Sequence, residues 1–212
     1  DLLLKDGKRR SYSIATPPTS DGVTMLELHV RHMPGGLFTD HVFGAMKERE
    51  LLRFEGPLGT FHLRPPSGKP AVMVASGTGF APIKAMCEAV FRRGVSADQP
   101  LTLYWGCRRR IDLYHLALAE QWAAEQAGFR FIPVLSEPGD ACDWSGRTGL
   151  VHEAVMADHP DMRSIEIYAC GAPVMIEAAR RDFTARCGLP AEAFFADSFL
   201  SEADRASATV SA

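Results

Sequence analysis

The sequence predicts a segment of antiparallel strands followed by an α/β domain with a parallel sheet. Three observations carry this. Before residue 65, short apolar runs alternate with turn residues, the pattern of antiparallel strands. "RPPSGKP" at 64–70 then interrupts the chain with a linker rich in proline, glycine and serine. Beyond it, strand-like and helix-like stretches alternate, which argues for parallel strands joined by crossover helices. The expected division is 1–66 for the antiparallel part, 67–200 for the α/β domain and 201–212 for a small, polar tail that should fray.

Each element has its own warrant. "SYSIA", "VTMLELHVRHM" and "LLRFEGPLGTFHLR" read as strands, separated by "SDG" and "PGG", with one short helix over 38–46. After the linker come the strand "AVMVAS" (71–76) and a helix opening near Pro82. In that helix Ile83, Met86, Cys87, Val90 and Phe91 form one apolar stripe. Pro82 suits its first position and Gly94 its end. Strands at 100–106, 129–135, 165–171 and 193–197 then alternate with helices at 112–126, 148–157 and 173–187.

Composition limits the function classes. A chain of 212 residues, 46% hydrophobic and 23% charged, is long enough for one large domain or two small ones. The net charge of −3 provides no overall attraction to nucleic acid or an anionic membrane. Arg108, Arg109 and Arg110 form one local basic cluster, better suited to a phosphate than to a polymer. No apolar stretch approaches ~18 residues and no signal segment opens the chain, so the expected location is cytoplasmic. Cysteines at 87, 107, 142, 170 and 187 are odd in number and show no C-x-x-C spacing, so reduced thiols are expected. His29 and His32 lie three apart in a strand-like segment and should face opposite sides. No metal site is therefore expected within the chain.

"VMVASGTGFAPIKAM", residues 72–86, runs a strand into a glycine turn and a helix. Such a junction places unpaired N–H groups and a positive helix end at the carboxyl edge of the sheet, where an anion fits. Gly77 and Gly79 would let a pyrophosphate approach, Thr78 would add a hydroxyl or a contact for a flat ring, and Pro82 would start the helix. A tight structural turn is the other reading of the two glycines.

Further motifs follow in order: "RSYS" at 10–13, "PGGLFTD" at 34–40, "GPLG" at 56–59, "YACGAP" at 168–173 and "FFADSF" at 194–199. Together with "GTGFAP", this series resembles the ferredoxin–NADP reductase superfamily over nearly the whole chain. It looks nearest to the reductases that feed bacterial oxygenases or deoxysugar dehydrases, and to the free flavin reductases. The resemblance implies an NAD(P)H-dependent flavoprotein reductase that moves a hydride from nicotinamide C4 to flavin N5. Electrons then pass to an iron–sulfur centre or to a partner oxygenase or dehydrase. The flavin is FAD, with FMN as the alternative, and the donor is NADH or NADPH. A 2Fe-2S centre would belong only to an upstream domain. A free flavin reductase and a catalytically idle nucleotide-binding module are the competing readings.

The motifs have chemical readings within that resemblance. Arg10 offers a charged fork to a flavin phosphate, Tyr12 a flat face for the ring, and Ser13 a donor to N5, with Ser11 between them. Gly35, Gly36, Phe38 and Thr39 belong to the second flavin segment, where N–H groups at a helix start would meet phosphate. Cys170, before Gly171, is implied to pack near nicotinamide C4 as a small polarizable group. Asp197 would orient hydroxyls or the carboxamide, and Phe195 or Phe199 would cover the flavin face. The family usually has glutamate and tyrosine where this chain has Asp197 and phenylalanine. Gly106 ends a strand and presents Arg108, Arg109 and Arg110 where a ribose would lie, with ion pairs to Asp112 or Glu137, or solvation, as the alternative. NADH is the preferred donor, with NADPH tolerated. In the family an antiparallel flavin-binding β-barrel precedes the nicotinamide-binding α/β domain, and the opening "DLLLKDGKRRSYS" corresponds to mid-barrel there. The resemblance thus implies that 1–66 is a partial flavin-binding barrel, incomplete at its N-terminus, in a fragment that binds flavin weakly by itself.

Overall fold

The computed structural model describes residues 1–4, 6–95, 99–139 and 143–199; Cys142 and the expected tail at 201–212 lie outside them. In the N-terminal part, β1 (Leu2–Leu3), β2 (Arg9–Arg10) and β3 (Arg53–Phe54) form an antiparallel sheet in the order β2-β1-β3. Leu2 stands opposite both Arg10 and Phe54. The longer strands expected at 11–15, 23–33 and 51–64 shrink to these short pairings and one antiparallel bridge between Ile14 and Leu28. A ladder extends only where a neighbouring backbone supplies partners, however β-prone the segment is. Apolar side chains such as Leu51 and Met25 consequently face outward.

The expected helix at 38–46 is α1 (Leu37–Asp40) followed by a wide turn over His41–Ala45. Gly36 precedes α1, so Thr39 lies within the first turn rather than opening the helix.

The second part is a six-stranded sheet in the order β7-β6-β5-β4-β8-β9, its strands paired in parallel. Its strands are β4 (Ala71–Ser76), β5 (Leu101–Cys107), β6 (Phe129–Leu135), β7 (Arg147–Thr148), β8 (Glu166–Gly171) and β9 (Phe194–Ser198). Four helices connect them: α2 (Phe80–Arg93), α3 (Leu116–Glu125), α4 (Val151–Asp158) and α5 (Pro173–Cys187). The sheet is covered on both faces, as parallel strands require. Val72 and Val74 turn to the layer of α4 and α5, whereas Met73 and Ala75 turn to α2 and α3.

Burial of this kind contributes roughly 1.5–3 kcal/mol for each large apolar side chain. The buried hydrophobic residues before position 66 are Leu2, Ala15 and Phe38, so stability resides mainly in the α/β part. Several boundaries differ from expectation: the strands expected at 100–106 and 193–197 run Leu101–Cys107 and Phe194–Ser198, and the helix expected at 148–157 runs Val151–Asp158. α2 begins at Phe80, two residues before Pro82, which still falls in the first turn where its missing N–H does no harm. α3 begins at Leu116 because residues Arg110–Asp112 form a separate tight turn. The edge strand β7 is too short to leave a periodic signal. Among the described residues, no helix is long and apolar enough to cross a membrane.

Candidate nucleotide and flavin site

The first strand of the parallel sheet, β4, ends in a tight turn over Gly77–Gly79 that feeds directly into α2. Gly77 has φ +52°, in the left-handed region, and a Cβ there would meet nothing within 4 Å. Gly79 is glycine for another reason. A Cβ on it would lie 2.5 Å from the Cys170 carbonyl carbon and 2.8 Å from Gly171 Cα. The turn is thus wedged against the end of β8, and Gly79 is required by backbone approach before any ligand is considered. Ser76 Oγ strengthens the same joint by accepting the Ala172 N–H at 2.9 Å. On the other side the Trp105 indole N–H donates to the Gly77 carbonyl at 3.0 Å, and Phe80 stacks on Trp105 with centroids 4.0 Å apart. Both carboxyl-edge loops are therefore held rigidly, with Thr78 half-buried beside them.

Cys170 is fully buried and sits in register between Ala75 of β4 and Asp197 of β9. Burial first, and the Asp197 carboxylate second, push its thiol well above the usual range, so it is a neutral, compact group. Burial likewise raises the Asp197 carboxyl, against the Ser198 backbone hydrogen bond that lowers it. Of the two aromatic candidates in β9 and beyond, Phe195 packs on Tyr168, with ring centroids 4.9 Å apart, and under the Arg64 guanidinium at 5.1 Å. Phe199 donates its N–H to the Gly171 carbonyl at 2.9 Å and so stands at the carboxyl edge.

Gly106 also serves packing, since a Cβ there would lie 2.6 Å from Val151 Cβ at the start of α4. Arg108 is exposed and 3.9 Å from Glu137, while the Arg109 backbone N–H, not its side chain, bonds to Asp112 at 3.0 Å. The Arg110 guanidinium donates to the Asp143 carbonyl at 3.4 Å.

In the N-terminal part, Arg10 ends β2, and its guanidinium donates to the Arg9 carbonyl at 2.9 Å. Ser11 Oγ donates to the Asp1 carboxylate at 2.8 Å, and Ser13 is half-buried. Tyr12 packs on Phe38 with centroids 5.6 Å apart, and burial raises its hydroxyl pKa against the lowering effect of Arg10. The donors expected at "PGG" are engaged within their own turn. Gly35 N–H bonds to Asp40 at 3.0 Å, Gly36 N–H to the Met33 carbonyl at 2.8 Å, and Thr39 Oγ1 donates to that carbonyl at 2.9 Å. A Cβ at Gly36 would lie 2.7 Å from Thr39 Oγ1, which explains this glycine sterically.

A cluster that sequence reasoning missed ties the two parts together. Lys84 of α2, buried, donates to the Ala15 carbonyl at 3.4 Å, to Glu27 at 3.0 Å and to Glu88 at 2.9 Å. Glu27 also meets His29, whose other ring nitrogen meets the Tyr114 hydroxyl at 2.7 Å. Burial lowers the His29 pKa, only partly offset by its bond to Glu27. His32 instead pairs with Asp40, so the two histidines do separate as the spacing implied. The partner they lacked in sequence, His115, lies 86 positions on from His29, and no local pattern could have connected them. The four described cysteines are all buried and free.

This geometry agrees with what the chain matches among known proteins. Residues 3–63 match the family described as "Oxidoreductase FAD-binding domain", and 73–181 match "Oxidoreductase NAD-binding domain". The CDP-6-deoxy-L-threo-D-glycero-4-hexulose-3-dehydrase reductase of Yersinia pestis is 42% identical over 200 residues, 94% of this chain and 58% of that protein. Terephthalate 1,2-dioxygenase reductase component 2 of Comamonas sp. is 36% identical over 199 residues, 93% of this chain and 57% of that protein. Among solved structures, the Amycolatopsis cytochrome P450 reductase GcoB superposes with a TM-score of 0.82 at 36% identity, covering 93% of this chain and 59% of that one. The chain spans little more than half the length of these relatives. It belongs, by its paired FAD-binding and NAD-binding regions and its fold, to the ferredoxin–NADP reductase superfamily of oxidoreductases.

Proposed function

We propose that the chain is the flavin- and nicotinamide-binding portion of an NAD(P)H-dependent flavoprotein reductase, with 1–66 serving the flavin and 67–200 the nicotinamide nucleotide. One observation carries this reading. The segment that continues "RSYS" is tied by Lys84, through the Ala15 carbonyl and Glu27, to the helix that opens on the Gly77–Gly79 turn. Flavin-motif and nucleotide-loop residues are thereby held to one framework.

When bound, the nicotinamide would supply a hydride at C4 and the flavin an acceptor at N5, so the chain need provide no nucleophile or strong base. Its own residues place and shield. The half-buried Tyr12 offers a ring face, Arg10 a guanidinium for phosphate and Ser13 a donor at the ring edge. Thr78 and the rigid turn meet the nucleotide, and Cys170, neutral and small, allows close approach at the end of β8. Asp197, in register with Cys170, orients hydroxyls or amides, and Phe199 covers the open edge. Electrons would pass onward to a partner oxygenase or dehydrase, as the names of the relatives suggest, or to an iron–sulfur centre outside this chain. FAD is the favoured flavin. NADH is the favoured donor, because Arg108 lies within reach of Glu137 rather than standing alone for a 2′-phosphate. Buried free thiols suit a cytoplasmic location.

Anaerobic mixing of the full-length protein with NADH and FAD tests the proposal. Bleaching of the flavin that is lost on Gly79→Ala is expected. Binding of nucleotide without bleaching would sink the enzyme reading in favour of an idle binding module. Flavin that behaves as a freely exchanging substrate with its own KM would replace onward transfer by free flavin reduction.

A further inference from the structure

Glu27 and His29 of the N-terminal part and His115, just before α3, each bring one ligand atom to within 4.8 Å of the others. We propose that these three side chains bind one divalent cation of the zinc class, joining segment 27–29 to the start of α3. Two imidazoles and one carboxylate are a set that zinc takes in open sites, leaving a fourth position to water or a small ligand. Tetrahedral ligands about 2.1 Å from the ion stand about 3.4 Å apart. Glu27 Oε1 is 2.8 Å from His29 Nε2 and 3.9 Å from His115 Nε2, so the observed separations straddle that spacing. The His29 side chain is only 5% exposed and acts as the anchor, whereas His115, at 37%, has room to close.

A partner for the anchoring ring is already in place. With an ion on Nε2, the His29 ring proton resides on Nδ1 and is donated to the Tyr114 oxygen, 2.7 Å away, which fixes the ring's tautomer and orientation. Without the ion, Nε2–H donates to Glu27 and the Tyr114 hydroxyl donates to Nδ1. The proton changes nitrogen, and the neutral ring neither gains nor loses charge.

Electrostatics favour a cation despite the nearby ammonium. Lys84 lies between Glu27 Oε2 and Glu88 Oε1, so these three groups together carry one net negative charge. Lys84 also occupies Oε2, which leaves Oε1 facing the imidazoles. Arg31 and Asp112 face the same groove, of 420 Å³, and offset each other's charge.

The test is a titration with Zn²⁺, against a chromogenic chelator, of full-length protein with its flavin and any iron–sulfur cluster intact and adventitious metal removed by chelation. One equivalent should bind, and His115→Ala should weaken it by at least about tenfold, with Tyr114→Phe weakening it within about that factor. His32→Ala, which removes a histidine paired elsewhere, should leave it unchanged. Zinc at about a hundredfold excess over Kd should raise Tm by roughly 5–10 °C in the wild type and not in His115→Ala. Far-UV circular dichroism shows whether His115→Ala folds; His115→Gln, which keeps a polar side chain at that half-exposed position, replaces it otherwise. Co²⁺ in place of zinc should show visible bands of nitrogen and oxygen ligation without thiolate charge transfer. Absence of stoichiometric binding, binding indifferent to both His115 substitutions, or a thiolate band would each overturn the proposal.

Discussion

Gly79→Ala is the sharpest perturbation that the site allows. The added methyl would stand 2.5 Å from the Cys170 carbonyl carbon and 2.8 Å from Gly171 Cα, and neither atom belongs to a flexible side chain. Carbon atoms rest at about 3.5–4.0 Å, so the end of β8 would have to retreat by about 1 Å from the β4 turn. That retreat also strains the Ser76 hydrogen bond to Ala172. Ordinary overpacking costs about 1–3 kcal/mol, and a clash with backbone on both sides belongs at the upper end, about 3 kcal/mol. For a chain of this size such a loss lowers Tm by roughly 6–12 °C. Gly77→Ala is the matched control, because its Cβ meets nothing within 4 Å and only the left-handed backbone, at φ +52°, resists it. That conformation costs about 1–2 kcal/mol, hence roughly 2–8 °C. Thermal melts followed by circular dichroism, together with NADH titration of the folded variants, read both effects. If Gly79→Ala melts no lower than Gly77→Ala, the wedge between the turn and β8 is not what demands glycine.

Three further outcomes are expected. Cys170→Ala should slow flavin reduction by about tenfold or more in stopped-flow measurements while flavin affinity holds, with Cys187→Ala as the control; equal rates would leave the thiol a packing residue. Trp105→Phe removes the donor that holds the Gly77 carbonyl, so KM for NADH should rise several-fold with kcat little changed, and an unchanged KM would refute that role. At Asp158, partial burial raises the carboxyl, but hydrogen bonds from Arg147 and Tyr104 outweigh it, so the folded pKa lies below the ordinary 3.8. A carboxyl lowered on folding stabilises above its unfolded pKa and loses that contribution as pH falls through the folded value. The stability gap between wild type and Asp158→Asn in urea should therefore be full at neutral pH and close below pH 3.8; a gap independent of pH would contradict it.

The parallel half of the molecule was legible in the order of residues along the chain. The strand at 71–76 and the helix at 173–187 fall at the residues read from their apolar patterns, because a strand buried on both faces is a continuous apolar run and a helix is a local periodicity. Family motifs with fixed spacing were legible for the same reason, being short and contiguous. Which β-prone segments of the N-terminal part pair was not legible there, since a ladder depends on a neighbour and not on the segment itself; the folded arrangement sets it. It also reassigned glycines: Gly79 and Gly106 answer to the backbone of β8 and the side chain of Val151, neither close in sequence. Phe195 and Phe199, equivalent as letters, were separated by register, one packed on Tyr168 and the other bonded at the carboxyl edge. The meeting of Glu27, His29, Lys84 and His115 was invisible for the same physical reason. Side chains on different elements come together only when the sheet and helices have closed around a common core, and no spacing along the chain encodes that distance.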